Sequence, residues 1–270
     1  MRSERDVPLA DGRVLRVHDS GDQGPALVWH HGTPQTGALL APVLAAARAR
    51  GMRLVSYARP AYGGSSPHAG RDVASAGSDV AHVLDALGID TAAHVGASGG
   101  GPHALACAAA LPDRTTAVVS VAGLAPFVDG FDWASGMASD AALRAAAIGR
   151  DARSTIAEPD VDPFVAADWE ALAGPWRSLG ADAGAASAAG PDGAIDDDVA
   201  YAHPWGFDLE TVTAPVLLVH GGLDRVVPKA HSQLLLDLLP NTELWLRPRE
   251  GHVSVLSSVP LALDWILALP

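Results

Sequence analysis

Ser98 is the residue of this chain whose setting most clearly points to chemistry. It stands in Val95-Gly96-Ala97-Ser98-Gly99-Gly100-Gly101-Pro102, where an apolar run gives way to an alanine-rich one. In the G-x-S-x-G pattern the serine occupies a strained turn between strand and helix, with room only for small residues two positions before and after, here Gly96 and Gly100. Such a turn lifts the hydroxyl clear of a sheet and aims the Gly99 amide at the place where negative charge develops on an attacked carbonyl. A serine hydroxyl becomes a nucleophile when a base takes its proton, and the base needs an acid to hold its tautomer. Eleven histidines are available. His252 is selected because Glu250-Gly251-His252-Val253-Ser254 forms a loop after the last apolar run. His82, His103 and His220 fall within helical or strand patterns and read as packing or surface residues. Asp224 follows the apolar run 216–220 and a glycine pair, and is the expected acid, with Asp129 as the alternative. The segment His30-His31-Gly32-Thr33-Pro34 offers exposed backbone amides, so the Thr33 amide is expected to join that of Gly99 as a second oxyanion donor.

These residues need elements to carry them. Apolar runs at 14–18, 26–30, 54–58, 92–97, 117–121, 216–220 and 243–246 read as strands. Helical patterns at 37–50, 73–87, 99–111, 229–239 and 254–267 lie between and after them. That alternation predicts a mainly parallel sheet covered on both faces. The interval 125–209 breaks the rhythm, with no strong strand and four of the seven tryptophans. Trp133, Trp169, Trp176 and Trp205 are therefore the candidate substrate-binding aromatics, with the alternative that they staple a small helical subdomain onto the core. Within that interval 181–198 is small and acidic, ending in Asp196-Asp197-Asp198, and is expected to be a mobile surface loop with a solvated charge run.

Composition bounds the partners. Of 270 residues, 49% are hydrophobic and 18% charged, as in a globular protein. A net charge of -13 argues against nucleic acid. Met1-Arg2-Ser3-Glu4-Arg5-Asp6 leads into no apolar targeting segment, and no apolar run reaches membrane-spanning length. The single cysteine, Cys107, has no internal partner for a disulfide. The expectation is a cytoplasmic protein acting on a small molecule, with no membrane partner, no cofactor and no metal. Oligomeric state has no signal in the sequence.

Together, His31-Gly32-Thr33-Pro34, Arg59-Pro60-Ala61-Tyr62-Gly63-Gly64-Ser65-Ser66, the turn at Ser98, Asp224 and Gly251-His252 resemble the α/β-hydrolase fold superfamily over nearly the full length. The chain order Ser98, Asp224, His252 is the order of that family. The nearest subgroup is the capped serine hydrolases, carboxylesterases and proline iminopeptidases. The resemblance implies an α/β core over 1–124 and 210–270 with a small, mainly helical cap over 125–209. It also implies acyl transfer from an ester, amide or thioester through an acyl-enzyme on Ser98. Arg59 stands where the family frequently has aspartate, in a loop that is mainly structural. Thr33 and Pro34 depart from the two-glycine oxyanion loop of iminopeptidases. Ser98 argues against dehalogenases and epoxide hydrolases, which use aspartate there. An aminopeptidase, drawing on Glu158, Asp160, Asp162, Asp168 and Glu170 to pair with an ammonium, remains open. So do an acyltransferase, a carbon–carbon bond hydrolase and a non-catalytic binding protein.

Overall fold

A computed structural model describes residues 3–157 and 161–270. Its eight strands form one sheet in the order β1-β2-β4-β3-β5-β6-β7-β8. They are β1 (Ser3–Pro8), β2 (Val14–Asp19), β3 (Ala26–His30), β4 (Arg53–Tyr57), β5 (Ala92–Ala97), β6 (Thr115–Val121), β7 (Val216–Gly221) and β8 (Thr242–Arg247). β1 pairs antiparallel with β2, and β2 with β4, while every pairing from β4 to β8 is parallel. The charged N-terminal segment supplies β1, a strand the alternation did not indicate. It is an exposed strand whose only buried residue is Val7, so it carries little apolar signal.

Parallel register sets the site. His30 of β3 pairs with Gly96 of β5, Gly96 with Ser120, Ser120 with Leu218 and Leu218 with Leu244. One row therefore crosses five strands, and the loops carrying residues 31–35, 98–99, 222–228 and 248–253 leave the sheet at the same edge. In an open parallel sheet that carboxyl edge is where ligands bind.

Alternation along the strands feeds two apolar layers. Leu27 and Trp29 of β3 pack with α1 (Ala41–Arg48) and the C-terminal helix α10 (Val259–Ala268), whereas Ala26 and Val28 pack with α2 (Ser75–Leu87) and Cys107 of α3 (Gly100–Ala110). Leu235 of α9 (Ala230–Leu238) completes the α3 side. Pro42 and Pro260, in the first turns of α1 and α10, fix where these helices begin. Helix α1 accordingly starts later than the pattern from 37 suggested.

Among the described residues five α-helices lie between β6 and β7: α4 (Ala141–Ile148), α5 (Arg150–Ser154), α6 (Ala166–Ala173), α7 (Arg177–Ala189) and α8 (Asp192–Ala202). The expected loop at 181–198 is thus helical. Alanine-rich α7 has high helix propensity, and the acidic run of α8 is taken up by arginines. Arg150 pairs with Asp192 and Asp196, Arg153 with Asp198, and Arg59 and Arg71 with Asp197. Trp176 enters the apolar cluster of α1 and α10, and Trp133, Tyr201 and Trp205 enter that of α3 and α9. The inserted helices therefore share the core of the sheet. Among the described residues no helix is long and apolar enough to cross a membrane.

Candidate active site

Ser98 follows β5 directly and has φ +53°, a left-handed value that a non-glycine residue adopts under strain. A side chain at Gly96 would meet the Gly100 carbonyl oxygen at 2.2 Å, so the turn closes only around glycine. Ser98 Oγ donates to His252 Nε2 at 3.0 Å, and His252 Nδ1–H donates to Asp224 Oδ2 at 2.7 Å. The other Asp224 oxygen accepts the amides of Val226 and Val227, both at 2.9 Å, which fixes the carboxylate in its loop.

The electrostatics suit proton transfer. Burial opposes charge on His252, but the Asp224 carboxylate favours the imidazolium more strongly, and the pKa lies above the ordinary 6.5. Burial likewise works against ionised Asp224, and the attraction of His252 overcomes it, holding the carboxyl well below the usual carboxylate range. A hydroxyl, an imidazole and an ionised carboxylate stand here in the order that activation of a serine would require.

The Thr33 and Gly99 loops lie side by side. A Cβ on Gly99 would stand 2.6 Å from Thr33 Oγ1 and 2.3 Å from Tyr201 Oη. No protein acceptor engages either backbone amide among the described residues. Of the alternative residues, Asp129 is exposed, His103 Nδ1 donates to the Gly99 carbonyl, and His220, whose Nε2 lies 3.5 Å from Asp224 Oδ2, bonds Ser232 and the Val227 carbonyl rather than Ser98.

A cavity of about 220 Å³ opens at Ser98 and His252. Its walls are largely apolar, including Trp29, Pro34, Val121, Phe164, Leu172 and Leu179. Trp29 Nε1 and Gln35 Nε2, on two lining residues, have no hydrogen-bond partner among the described residues. A second cavity of about 720 Å³ shares Thr33, Pro34 and Ala183 with the first and adds Arg153, Asp198 and Arg225.

None of the four candidate tryptophans lines the cavity at Ser98. Trp133 donates to the Ala125 carbonyl, Trp176 is buried in the core, and Trp205 stacks on Phe207. Trp169 is 49% exposed and packs edge-on behind Phe164, one ring removed from the cavity. Their clustering in sequence reflects anchorage of the inserted helices, and the tryptophan at the cavity comes from β3.

The acidic residues offered for an ammonium take different places, and Asp162 and Glu170 are exposed. Glu158 and Asp160 lie outside the described residues. Asp162 bonds Trp169 Nε1 and the Phe164 amide. Asp168 is buried and accepts four amides: Val253 at 2.8 Å and Ser254 at 2.7 Å on one oxygen, His252 at 3.2 Å and Val165 at 3.1 Å on the other. It therefore ties α6 to the loop that carries His252. A side chain on Gly251 would reach Asp168 Oδ2 at 2.1 Å, which explains the glycine before the histidine.

Sequence reasoning passed over Arg59. This buried guanidinium donates to the carbonyls of His31 and Gly32 and to Thr33 Oγ1, and pairs with Asp197 at 2.6 Å. The signal was its place where the family has a carboxylate: the charge reverses, and α8 supplies Asp197 in compensation. For metal ligation, one grouping with suitable spacing exists among the described residues, His30, His94 and Cys107, in the core. Its two imidazoles bond each other at 3.1 Å.

Residues 25–259 match the alpha/beta hydrolase fold family. A non-heme chloroperoxidase of Streptomyces lividans is 30% identical over 238 residues, covering 84% of this chain and 84% of its own. A putative carbamate hydrolase RutD of Caulobacter sp. (strain K31) is 29% identical over 263 residues, covering 90% and 89%. Among solved structures, a hydrolase from Pseudomonas aeruginosa PA01 superimposes with a TM-score of 0.72 at 22% identity, over 99% of each chain. With the matched region spanning both the strand-bearing halves and the inserted helices, the chain belongs to the alpha/beta hydrolase fold family of enzymes.

Proposed function

We propose that this enzyme is a serine hydrolase that cleaves an ester of a small, apolar acid through an acyl-enzyme on Ser98. The observation that carries the reading is the continuous chain of hydrogen bonds from Ser98 Oγ through His252 to Asp224, opening on an apolar cavity. His252 takes the Ser98 proton as Oγ attacks the carbonyl carbon, the Thr33 and Gly99 amides hold the oxyanion, and His252 returns the proton to the leaving alcohol. Water then attacks the acyl-enzyme by the same route in reverse, releasing the acid and restoring Ser98. Asp224 stays ionised throughout.

The cavity is smaller than the roughly 300–1,000 Å³ pockets that hold drug-sized ligands. It suits a short acyl group, with the larger neighbouring cavity on the leaving-group side and the helices α6 and α7 acting as a cap. No carboxylate lines the cavity at Ser98 among the described residues, so the ammonium of an aminopeptidase substrate finds no partner there. Of the acidic residues that could pair with an ammonium, Asp168 is spent on backbone amides.

A chain-length series of p-nitrophenyl esters tests this. Wild-type turnover is expected to peak at short acyl chains, and Ser98→Ala to lower kcat by about 10³–10⁶-fold without loss of fold. A fluorophosphonate should label Ser98 in wild type alone. Undiminished ester turnover by Ser98→Ala would sink the assignment.

A further inference from the structure

The backbone amides proposed for the oxyanion sit on two separate loops, and both loops are held by one face of α8. Asp197 and Tyr201 are four residues apart on that helix and so share a face. Asp197 Oδ2 accepts the Thr33 hydroxyl at 2.6 Å. Tyr201 Oη donates to the Gly99 carbonyl at 2.9 Å and lies 3.0 Å from Thr33 Oγ1. Each contact reaches a residue whose amide is a proposed donor, through an atom other than that amide.

The anchor behind this face is rigid. Asp197 accepts from Arg59 Nε at 3.1 Å, Arg59 Nη2 at 2.6 Å, Arg71 Nη2 at 2.6 Å and Tyr62 Oη at 2.9 Å, and its side chain is fully buried. Arg59 continues to the Gly32 carbonyl at 3.1 Å. His31 completes the loop: its Nε2 accepts the Arg59 amide at 3.0 Å and its Nδ1–H donates to the Gly32 carbonyl at 2.7 Å. Two guanidiniums and one carboxylate leave the cluster one positive charge in excess, the sign that favours a nearby oxyanion.

We propose that Asp197 and Tyr201 are positioning residues of the oxyanion hole, setting the spacing of its two donors by gripping Thr33 through its hydroxyl and Gly99 through its carbonyl. The inference rests on the reading of Ser98 as nucleophile. It makes a helix outside the sheet a working part of transition-state binding. A donor displaced by an ångström costs up to about a hundredfold in rate while leaving ground-state affinity nearly untouched.

The test uses Thr33→Val and Tyr201→Phe, which remove one oxygen each and leave both amides in place. Steady-state kinetics on a short p-nitrophenyl ester should show kcat down about ten- to a hundredfold with KM within about twofold. Affinity for a boronic acid, whose tetrahedral adduct occupies the same hole, should weaken by a similar factor. Thr33→Ser should restore kcat. Because both oxygens serve one device, the double variant should fall little below the worse single one. Single variants within twofold of wild-type kcat would overturn the proposal, as would losses carried by KM or multiplying in the double variant. Ser98→Ala is assayed alongside. If it is inactive while the α8 variants are unimpaired, the positioning role fails and the nucleophile stands. If it retains turnover, the nucleophile reading itself fails.

Discussion

Asp224 and Asp197 are both buried carboxylates held ionised against their surroundings, and they differ in what surrounds them. Burial disfavours the charge of each, and in each the neighbouring positive charge outweighs it. Asp197 faces Arg59 and Arg71, whose guanidiniums keep their charge at any pH at which the protein is folded. Asp224 faces an imidazole, a side chain that can exist with or without its second proton. One arrangement freezes a geometry, and the other is able to pass a proton. Equal burial thus yields a lock or a working pair according to whether the partner titrates.

Replacing each aspartate by asparagine separates the two roles. Asp224→Asn should lower kcat by about 10⁴-fold with little change in Tm. It should also move the acid limb of kcat/KM to lower pH, because burial then acts on His252 without the opposing carboxylate. Rate–pH profiles check this, and an unmoved limb would mean that another group controls it. Asp197→Asn should act first on stability. Leaving two buried guanidiniums short of an anion costs about 3–5 kcal/mol, read as a fall in the urea midpoint.

Acid stability sharpens the contrast further. Burial holds His94 and His103 down to about 3 and His231 to about 4, against 6.5 for a free imidazole. Below pH 6.5 the unfolded chain binds protons that the folded one refuses, so each histidine removes about 1.4 kcal/mol of stability per pH unit. Asp197 and Asp224 contribute no loss until pH falls below 3.8, where the unfolded carboxylates begin to protonate. Urea melts at pH 7.5 and 5.5 should therefore differ by several kcal/mol, and equal midpoints would contradict the burial of these rings. The smallest effect is expected at Asp168→Asn, which leaves one acceptor oxygen for four amides. Here kcat should drop about tenfold as the His252 loop loosens.

The strands of the parallel sheet were legible in the sequence, and so was the grouping of Ser98, Asp224 and His252 that the structure joins by hydrogen bonds, because each sits where periodicity ends in a glycine turn. Ser98, Asp224 and His252 are local in this sense: a short run announces each. Asp168, Asp197 and Tyr201 act chiefly through partners between 84 and 168 residues away, such as His252 and Thr33. No local pattern marks them. The acidic run at 196–198 read as solvated because its arginines come from other parts of the chain, and Arg59 read as incidental because its partner lies 138 residues later. The tryptophans left anchorage and ligand contact both open for the related reason that large apolar side chains serve either role.

The shared anchoring of α6 and α8 bears on how this protein could be re-engineered. Transplanting the helical insert of a relative would strand Arg59 and Arg71 and would leave Thr33, Gly99 and the His252 loop without their tethers. A chimera that keeps its modularity must exchange the insert together with Arg59, Arg71, Thr33 and Gly251, so the natural cassette here is discontinuous in the gene.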